Sequence, residues 1–486
     1  MKGRKSLKLS FVMNSILTCS KYLFPLITFP YISRVLHAEG IGRINFANSV
    51  VNYFVMFAML GIPYYGVQAC SKVRDDKGKL SKVVQELLSI NVVIALCIYI
   101  ILFLVVEFVP ELSVYKELIL IYSLLILCNV LSVEWLYTAL EEYSYITIRT
   151  LIFKVLSLFL MFLLVKTSQD CNIYAVIMVF GMGASFVFNL LKLPKYIQFV
   201  PNKRLELRCH LKPIFSFFLL SVSWTIYSNL DVVMLGILSG NVEVGYYSVG
   251  IKIKSILLSA VSALGVVMLP RLTKCVADKK MDEFYGLLKK DCSFIQIVAF
   301  SLIGYVVINA TSIVEFLAGD GYSAAVPVTQ IVIFSVLFMG FSTMTGTNML
   351  VPMGRENITM IATVVGIVVD VVLNMIFIPI GGAAGAALAT VIGEISILVC
   401  ECICLKDNIG KIFDLRCTLK VVASSVIAIF ITCLIKTQFS ELNVFLYLAI
   451  VFVIYFLIYI IALIMFKEEF VVEQIKSLCG KFRRQS

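Results

Sequence analysis

Uninterrupted apolar stretches of about twenty residues recur along the whole chain, and they decide what it can fold into. A helix of that length rises far enough to cross about 30 Å of hydrocarbon. Fourteen such runs can be marked, beginning with 9–32 and 44–68 and ending with 418–436 and 443–466. Only short polar gaps separate them, which leaves no room for a sizeable soluble domain on either side of a bilayer. Strands of a membrane barrel would be about ten residues long with strict alternation, which these runs lack. Composition agrees: 60% of the 486 residues are hydrophobic and 15% charged, with a mean hydropathy of +0.98. Soluble domains carry roughly a quarter charged residues. The expected fold is an all-α integral membrane protein of about fourteen transmembrane helices.

Lys and Arg in short loops set the orientation of such a bundle. With the N-terminus inside, basic residues gather in the inner segments 2–8, 72–82, 192–212, 271–290, 406–416 and 467–484. The outer loops hold little beyond Arg34, Arg43 and Lys116. The reading is a multi-pass protein of the cell membrane with both termini cytoplasmic. The net charge of +11 is then mostly positive-inside bias and a poor argument for a nucleic-acid partner. The first run is too long for a signal-peptide core and lacks a small-residue cleavage site, so it is expected to be retained. Cys400, Cys402 and Cys404 are spaced i, i+2, i+4, which on a helix does not converge on a metal. They read as small hydrophobic thiols.

A faint internal repeat runs through the chain. Residues 34–47 and 236–249 are each a short outer turn with a Gly-containing entry to the next helix, offset by roughly 200 residues. Ile146-Thr147 and Ile358-Thr359 likewise open two helices after a charged inner turn. The expected plan is an N-terminal lobe of six helices (1–200), a C-terminal lobe of six (201–406), and two extra helices with a basic tail (407–486). Parallel repeats are a recurrent transporter plan, with the substrate in a central cavity between the halves. Gly381, Gly385, Ala389 and Gly393 form a small-residue stripe that reads as helix packing.

Ionisable residues deep in a membrane helix cost about 2.5–3.5 kcal/mol each on insertion scales, so each needs a reason. The candidates are Lys21, Lys154, Asp231, Lys252, Lys254, Asp370 and Glu394. Asp231 and Lys252 are at nearly equal distance from the turn near residue 241, which suits a structural ion pair. Asp370 and Glu394 are each twelve residues from a turn near residue 382. Facing each other they would share a proton or bind a cation; pointing elsewhere they would pair with other neighbours. Lys21 and Lys154 have no acid at matching depth in their own lobe, since Glu134 near the inner end of helix four reaches only part of the way. Either a cross-lobe salt bridge or a wet cavity that receives an anion answers that need.

Several stretches resemble one family in particular. The outer turn 30–47, Gly61–Gly66 and the inner loop Lys72–Lys77 resemble the opening of Wzx-type oligosaccharide flippases. So do residues 133–149, followed by Lys154, and in the second half 230–236, 244–249 and 373–390. The resemblance covers roughly residues 10–400. It departs at His37, where the family often has Gly, and at Ala139, where a Gly usually precedes the Glu of the inner turn 136–142. It implies a two-lobed bundle of the multidrug/oligosaccharidyl-lipid/polysaccharide exporter superfamily, open alternately to each side. The implied substrate is a polyprenyl-pyrophosphate-linked oligosaccharide, moved for capsule, O-antigen or exopolysaccharide synthesis alongside polymerase machinery.

In that setting Lys21, Lys154 and Arg34 are expected to attract pyrophosphate, with Lys252 or Lys254 assisting. Asp231, Asp370 and Glu394 are expected to handle H+ or Na+ coupling or to relieve the positive field. A cation-coupled multidrug-type antiporter and a peptidoglycan-precursor flippase are the alternatives. Nothing points to an enzyme or a cofactor. Gly181-Met182-Gly183 lies inside an apolar run with no strand before it, and His37 and His210 are far apart in sequence.

Overall fold

A computed structural model describes residues 7–198, 205–439, 441–474 and 476. Of the inner basic residues, Lys2, Arg4, Lys5, Lys203, Arg204, Lys481, Arg483 and Arg484 lie outside the described residues. Among those described, every regular element is helical. Twelve helical stretches are long and apolar enough to cross a membrane. This is fewer than fourteen because two stretches, Val12–Val73 and Glu356–Cys404, are each one continuous run of 62 and 49 residues. Each is broken inside, at His37 and at Gly382, where two helices meet across a kink.

The chain divides into two compact units, Met1–Gly245 and Tyr246–Ser486. The first contains α1 (Leu7–Met59), α2 (Ile62–Val73), α3 (Lys77–Phe108), α4 (Lys116–Ser132), α5 (Glu134–Ala139), α6 (Tyr143–Leu164), α7 (Cys171–Gly183), α8 (Phe186–Lys192) and α9 (Arg208–Leu238). Here α1 packs on α4, α6 and α9, and α4 and α6 both pack on α7. Local chemistry fixes the ends. Asp76 caps α3 by accepting hydrogen bonds from the Gly78 and Lys79 amides at 2.9 and 3.0 Å. That helix ends at an extended Val109, because Pro110 disfavours helical geometry in the residue before it.

The second unit begins within α10 (Asn241–Val261) and continues through α11 (Ala263–Ala277), α12 (Met281–Ala318), α13 (Ala325–Val332) and α14 (Ser335–Ser342). A π-helical segment, Thr343–Leu350, precedes α15 (Glu356–Cys404), α16 (Leu415–Ile435) and α17 (Val444–Met465). The last two pack on each other and on α12. On α17 the apolar residues Phe445, Val453, Leu457 and Ile461 are all exposed. Apolar surface on that scale is not tolerated in water, and here it meets lipid.

The turns that open the repeated stretches 34–47 and 236–249 share one backbone feature. His37 (φ 54) and Gly240 (φ 88), about 200 residues apart, both occupy positive φ. At 37 a histidine stands in a conformation that glycine enters without strain, which is why Gly is the usual residue of the resembled motif there. The turn at 136–142 forms in spite of Ala139. Its positive φ falls on Glu141 (φ 58), while Ala139 is buried at the end of α5. Of the small-residue stripe on α15, Gly385 and Gly393 sit at close approaches, while Gly381 is exposed with nothing beside it. A Cβ on Gly385 would overlap the Phe377 carbonyl, and one on Gly393 would meet Asp370 Cβ at 3.2 Å.

Candidate functional site

The first unit encloses a cavity of about 780 Å³. Three helices present one face each to it, at the i, i+4, i+7 spacing that aligns residues along a helix. From α1 come Leu17, Lys21 and Phe24; from α6, Thr150, Lys154 and Ser157; from α7, Met178 and Met182, followed by Ser185 just before α8. Gly181 lets α7 approach closely, since a Cβ there would stand 2.7 Å from Ser157 Oγ. Its neighbour Gly183 abuts Cys128 in the same way, so this Gly-Met-Gly is a helix-packing feature.

Lys21 and Lys154 therefore share one space. Lys154 sits half-way along α6, donates to Ser20 Oγ at 3.0 Å and lies 5.8 Å from the centre of the Phe24 ring. Neither lysine has a salt-bridge partner among the described residues. Lys21 is exposed to the cavity.

A third cation lines the same wall, and the sequence reading did not single it out as a site residue. Arg149 is 5% exposed. It donates through Nη2 to Glu134 Oε2 at 2.6 Å and through Nη1 to Asn189 Oδ1. Glu134 thus reaches its cation one and a half turns into α6, while its own side chain stays 49% exposed. The backbone break that makes this possible is Val133, left-handed at φ 45, ψ 34, between α4 and α5. A β-branched residue in that region is a genuine outlier. Asn189 stabilises the break: its side-chain Nδ2 donates to Ser132 O and its backbone carbonyl accepts from Tyr137 Oη, each at 2.5 Å. Lys21, Lys154, Arg149 and Glu134 are the charged groups in the wall, three cations and one carboxylate, a net +2.

The other expected residues lie elsewhere. Arg34 is exposed, donates to Pro30 O at 2.6 Å, and does not line this cavity. Asp231 is half-buried on α9 in the first unit, and Lys252 and Lys254 are half-buried on α10 in the second. Asp370 and Glu394 flank the break at Gly382, twelve residues to either side, and the two limbs of α15 touch at that depth through Asp370 and Gly393. Glu394 is buried at 3% exposure, and one turn away Thr390 Oγ1 hydrogen-bonds Tyr247 Oη at 2.9 Å.

Comparison with known proteins turns on one match. The profile of the polysaccharide biosynthesis protein family fits residues 8–276, more than half of the 486-residue chain. The chain belongs to that family. A second profile, MatE, fits residues 215–376. Among the family's curated relatives, a protein named as an O-antigen transporter in Escherichia coli K12 is 25% identical over 339 residues, covering 68% of this chain and 80% of its own length. The capsular polysaccharide biosynthesis protein CapF of Staphylococcus aureus is 23% identical over 405 residues, covering 81% of this chain and 97% of its own.

Solved structures carry the same fold. The lipid II flippase MurJ, in an inward closed conformation, superposes with a TM-score of 0.77 at 16% identity, covering 94% of this chain and 99% of that one. An inward-facing multidrug resistance transporter of the MATE family matches at 0.63 and 13% identity, covering 83% and 98%. At such identities the likeness is one of fold. The resemblance read from the motifs of both halves, and the multi-pass helical membrane fold it implied, are borne out.

Proposed function

We propose that this polysaccharide biosynthesis protein translocates polyprenyl-pyrophosphate-linked oligosaccharides from the cytoplasmic to the outer leaflet by alternating access. The observation that carries the reading is the meeting of Lys21 and Lys154 in one cavity of about 780 Å³ with a net +2 wall. A pyrophosphate diester carries one negative charge on each phosphate, so it balances that wall. Cavities of about 300–1,000 Å³ hold small-molecule ligands, and a diphospho-sugar head group falls within that class. The polyprenyl chain needs no transfer through polar space and stays in lipid. The names of the relatives, an O-antigen transporter and a capsule biosynthesis protein, support the same substrate class.

In this reading Lys21 and Lys154 hold the pyrophosphate and Arg34, Lys252 and Lys254 assist at other stages of the cycle. Asp231, Asp370 and Glu394 carry the coupling ion, H+ or Na+. The lobes are residues 1–200 and 201–406 with an accessory pair at 407–486, a division supported by the repeated positive-φ outer turns at His37 and Gly240. The protein sits in the inner or plasma membrane with both termini cytoplasmic and hands its product to a polysaccharide polymerase. A multidrug-type antiporter is disfavoured because a net positive cavity repels cationic drugs.

The test is Lys21→Ala and Lys154→Ala in the native host. Both variants are expected to remain in the membrane while surface polysaccharide is lost. Normal polymer levels in both would refute the assignment.

A further inference from the structure

Glu401 is a buried carboxylate that the transport reading leaves without a task. It is 0% exposed, three residues from the inner end of α15. Its Oε2 accepts a hydrogen bond from Thr345 Oγ1 at 2.5 Å, on the π-helical segment. The Ser342 hydroxyl also acts on the carboxylate, while Oε1 makes no well-formed hydrogen bond and the buried Thr359 Oγ1 makes none. Glu401 and Thr359 both face one glycine. A Cβ on Gly346 would lie 2.6 Å from Glu401 Oε1 and 3.0 Å from Thr359 Cγ2. The absent side chain at Gly346 thus lets the Glu401 carboxylate and Thr359 close up against the π segment.

The charges around it deepen the deficit. Glu401 forms no salt bridge among the described residues. The ionisable groups that act on it are Glu394, on its own helix, and the Cys400 and Cys402 thiols. The elements α13, α14 and the π segment, which pack on α15, contain no ionisable residue; the short helix Lys406–Ile409, which also packs on it, carries Lys406, which is exposed. An uncompensated buried charge is strongly destabilising, so the compensation comes from outside the chain. A π-helical turn is a rare departure from regular helix that is frequent at functional sites.

Glu394 and Glu401 are seven residues apart, two turns along one face of the helix. We propose that Glu401, with Thr359 and the π segment Thr343–Leu350, is an inner-side site for a small monovalent cation, Na+ or a proton, in line with Glu394. This rests on the reading of Glu394 as a coupling residue only for its purpose; the site itself stands on the Glu401 geometry. Cation arriving from the inner surface binds at Glu401 before reaching the mid-membrane acid, and leaves by the same route.

The experiment is a melting titration of the full chain purified in detergent, with no polysaccharide precursor present. One arm replaces choline chloride by NaCl at constant ionic strength and pH; the other lowers the pH from 8 to 6 without sodium. The wild type is expected to melt several degrees higher in one arm, and Glu401→Gln to lose that response. Gly346→Ala and Thr359→Val are expected to weaken the apparent cation affinity at least tenfold, which keeps the test available if Glu401→Gln does not fold. A wild type insensitive to both cations overturns the proposal, and so does an undiminished response in the variants. Failure of the polysaccharide assay with Lys21 and Lys154 would leave these melting shifts untouched, so the two readings fail separately.

Discussion

The Glu134–Arg149 pair is asymmetric, and its two ends should respond unequally to mutation. The guanidinium side chain is 4% exposed and the carboxylate side chain 49%. Replacing Glu134 by Leu strands a cation in a dry wall, a change that costs about 3–5 kcal/mol when a buried pair loses one partner. Asn189 Oδ1 remains as an acceptor, so the lower end, about 3 kcal/mol, is expected. Replacing Arg149 by Met leaves a carboxylate already half in cavity water. That loss is about 1 kcal/mol for a solvated pair, plus about 1 kcal/mol for the Asn189 bond. Because the first unit spans 245 residues, each kcal/mol lowers a melting midpoint by about 2–4 °C. Glu134→Leu should therefore fall about 6–12 °C and Arg149→Met about 4–8 °C, read by thermal unfolding of the purified protein. The double variant removes charge from both ends and should melt no lower than Glu134→Leu alone, because residues in direct contact do not behave additively. If Arg149→Met is the more damaging, or the double variant is additive, the burial asymmetry is not what governs this pair.

Two further outcomes follow from the turns at His37 and Asp170. His37→Gly should stabilise the protein by about 1 kcal/mol, since about 1–3 kcal/mol of backbone strain is relieved against about 0.5–1 kcal/mol of added chain entropy; a lower melting temperature would mean the exposed imidazole makes a contact worth more than the strain. Asp170 accepts the Lys166 and Thr167 amides at 2.8 and 2.7 Å, and these bonds hold its carboxyl below the usual range. A depressed folded-state value contributes stability above the unfolded pKa and loses it as pH falls through the folded one. Wild type should thus melt above Asp170→Asn at pH 6, with the gap closing below about pH 4; a gap independent of pH would contradict the role of these amide bonds.

What the sequence could and could not convey divides along physical lines. Helix lengths were legible because hydrocarbon thickness imposes them, and mid-membrane lysines were legible because their insertion is costly. Lys21 and Lys154 converge because each sits half-way along its helix on a face of i, i+4, i+7 periodicity, a signal present in Leu17, Lys21, Phe24 and in Thr150, Lys154, Ser157. Counting distance from the turn also served for Asp370 and Glu394, which the break at Gly382 bisects. Arg149 escaped that logic. At six residues into its helix it is shallow enough to snorkel in principle, so its insertion needed no special explanation. It turns inward instead because Val133 breaks the previous helix and swings Glu134 toward it, and a left-handed valine is a tertiary event with no local signature.

Glu401 escaped for a related reason, and its case sharpens how such residues should be read. Near the end of a span, an acid is ordinarily solvated, and the sequence offers no cause to count it among the buried charges. Its burial comes from the π-helical turn opposite, where Thr345 and Gly346 are brought against it and no ionisable residue is present on that turn. Depth in the bilayer and depth in the protein are separate quantities. Lys154 is deep in the first sense and lines an open cavity; Glu401 is shallow in the first and sealed in the second. A cavity lysine can hold its charge through water or an anion, whereas a sealed carboxylate needs a cation brought to it. On the two proposals, the residues take opposite tasks, receiving an anionic head group and receiving a small cation. The distinction also fixes which perturbation reports on each: surface polymer for the lysine, and cation-dependent melting for the acid.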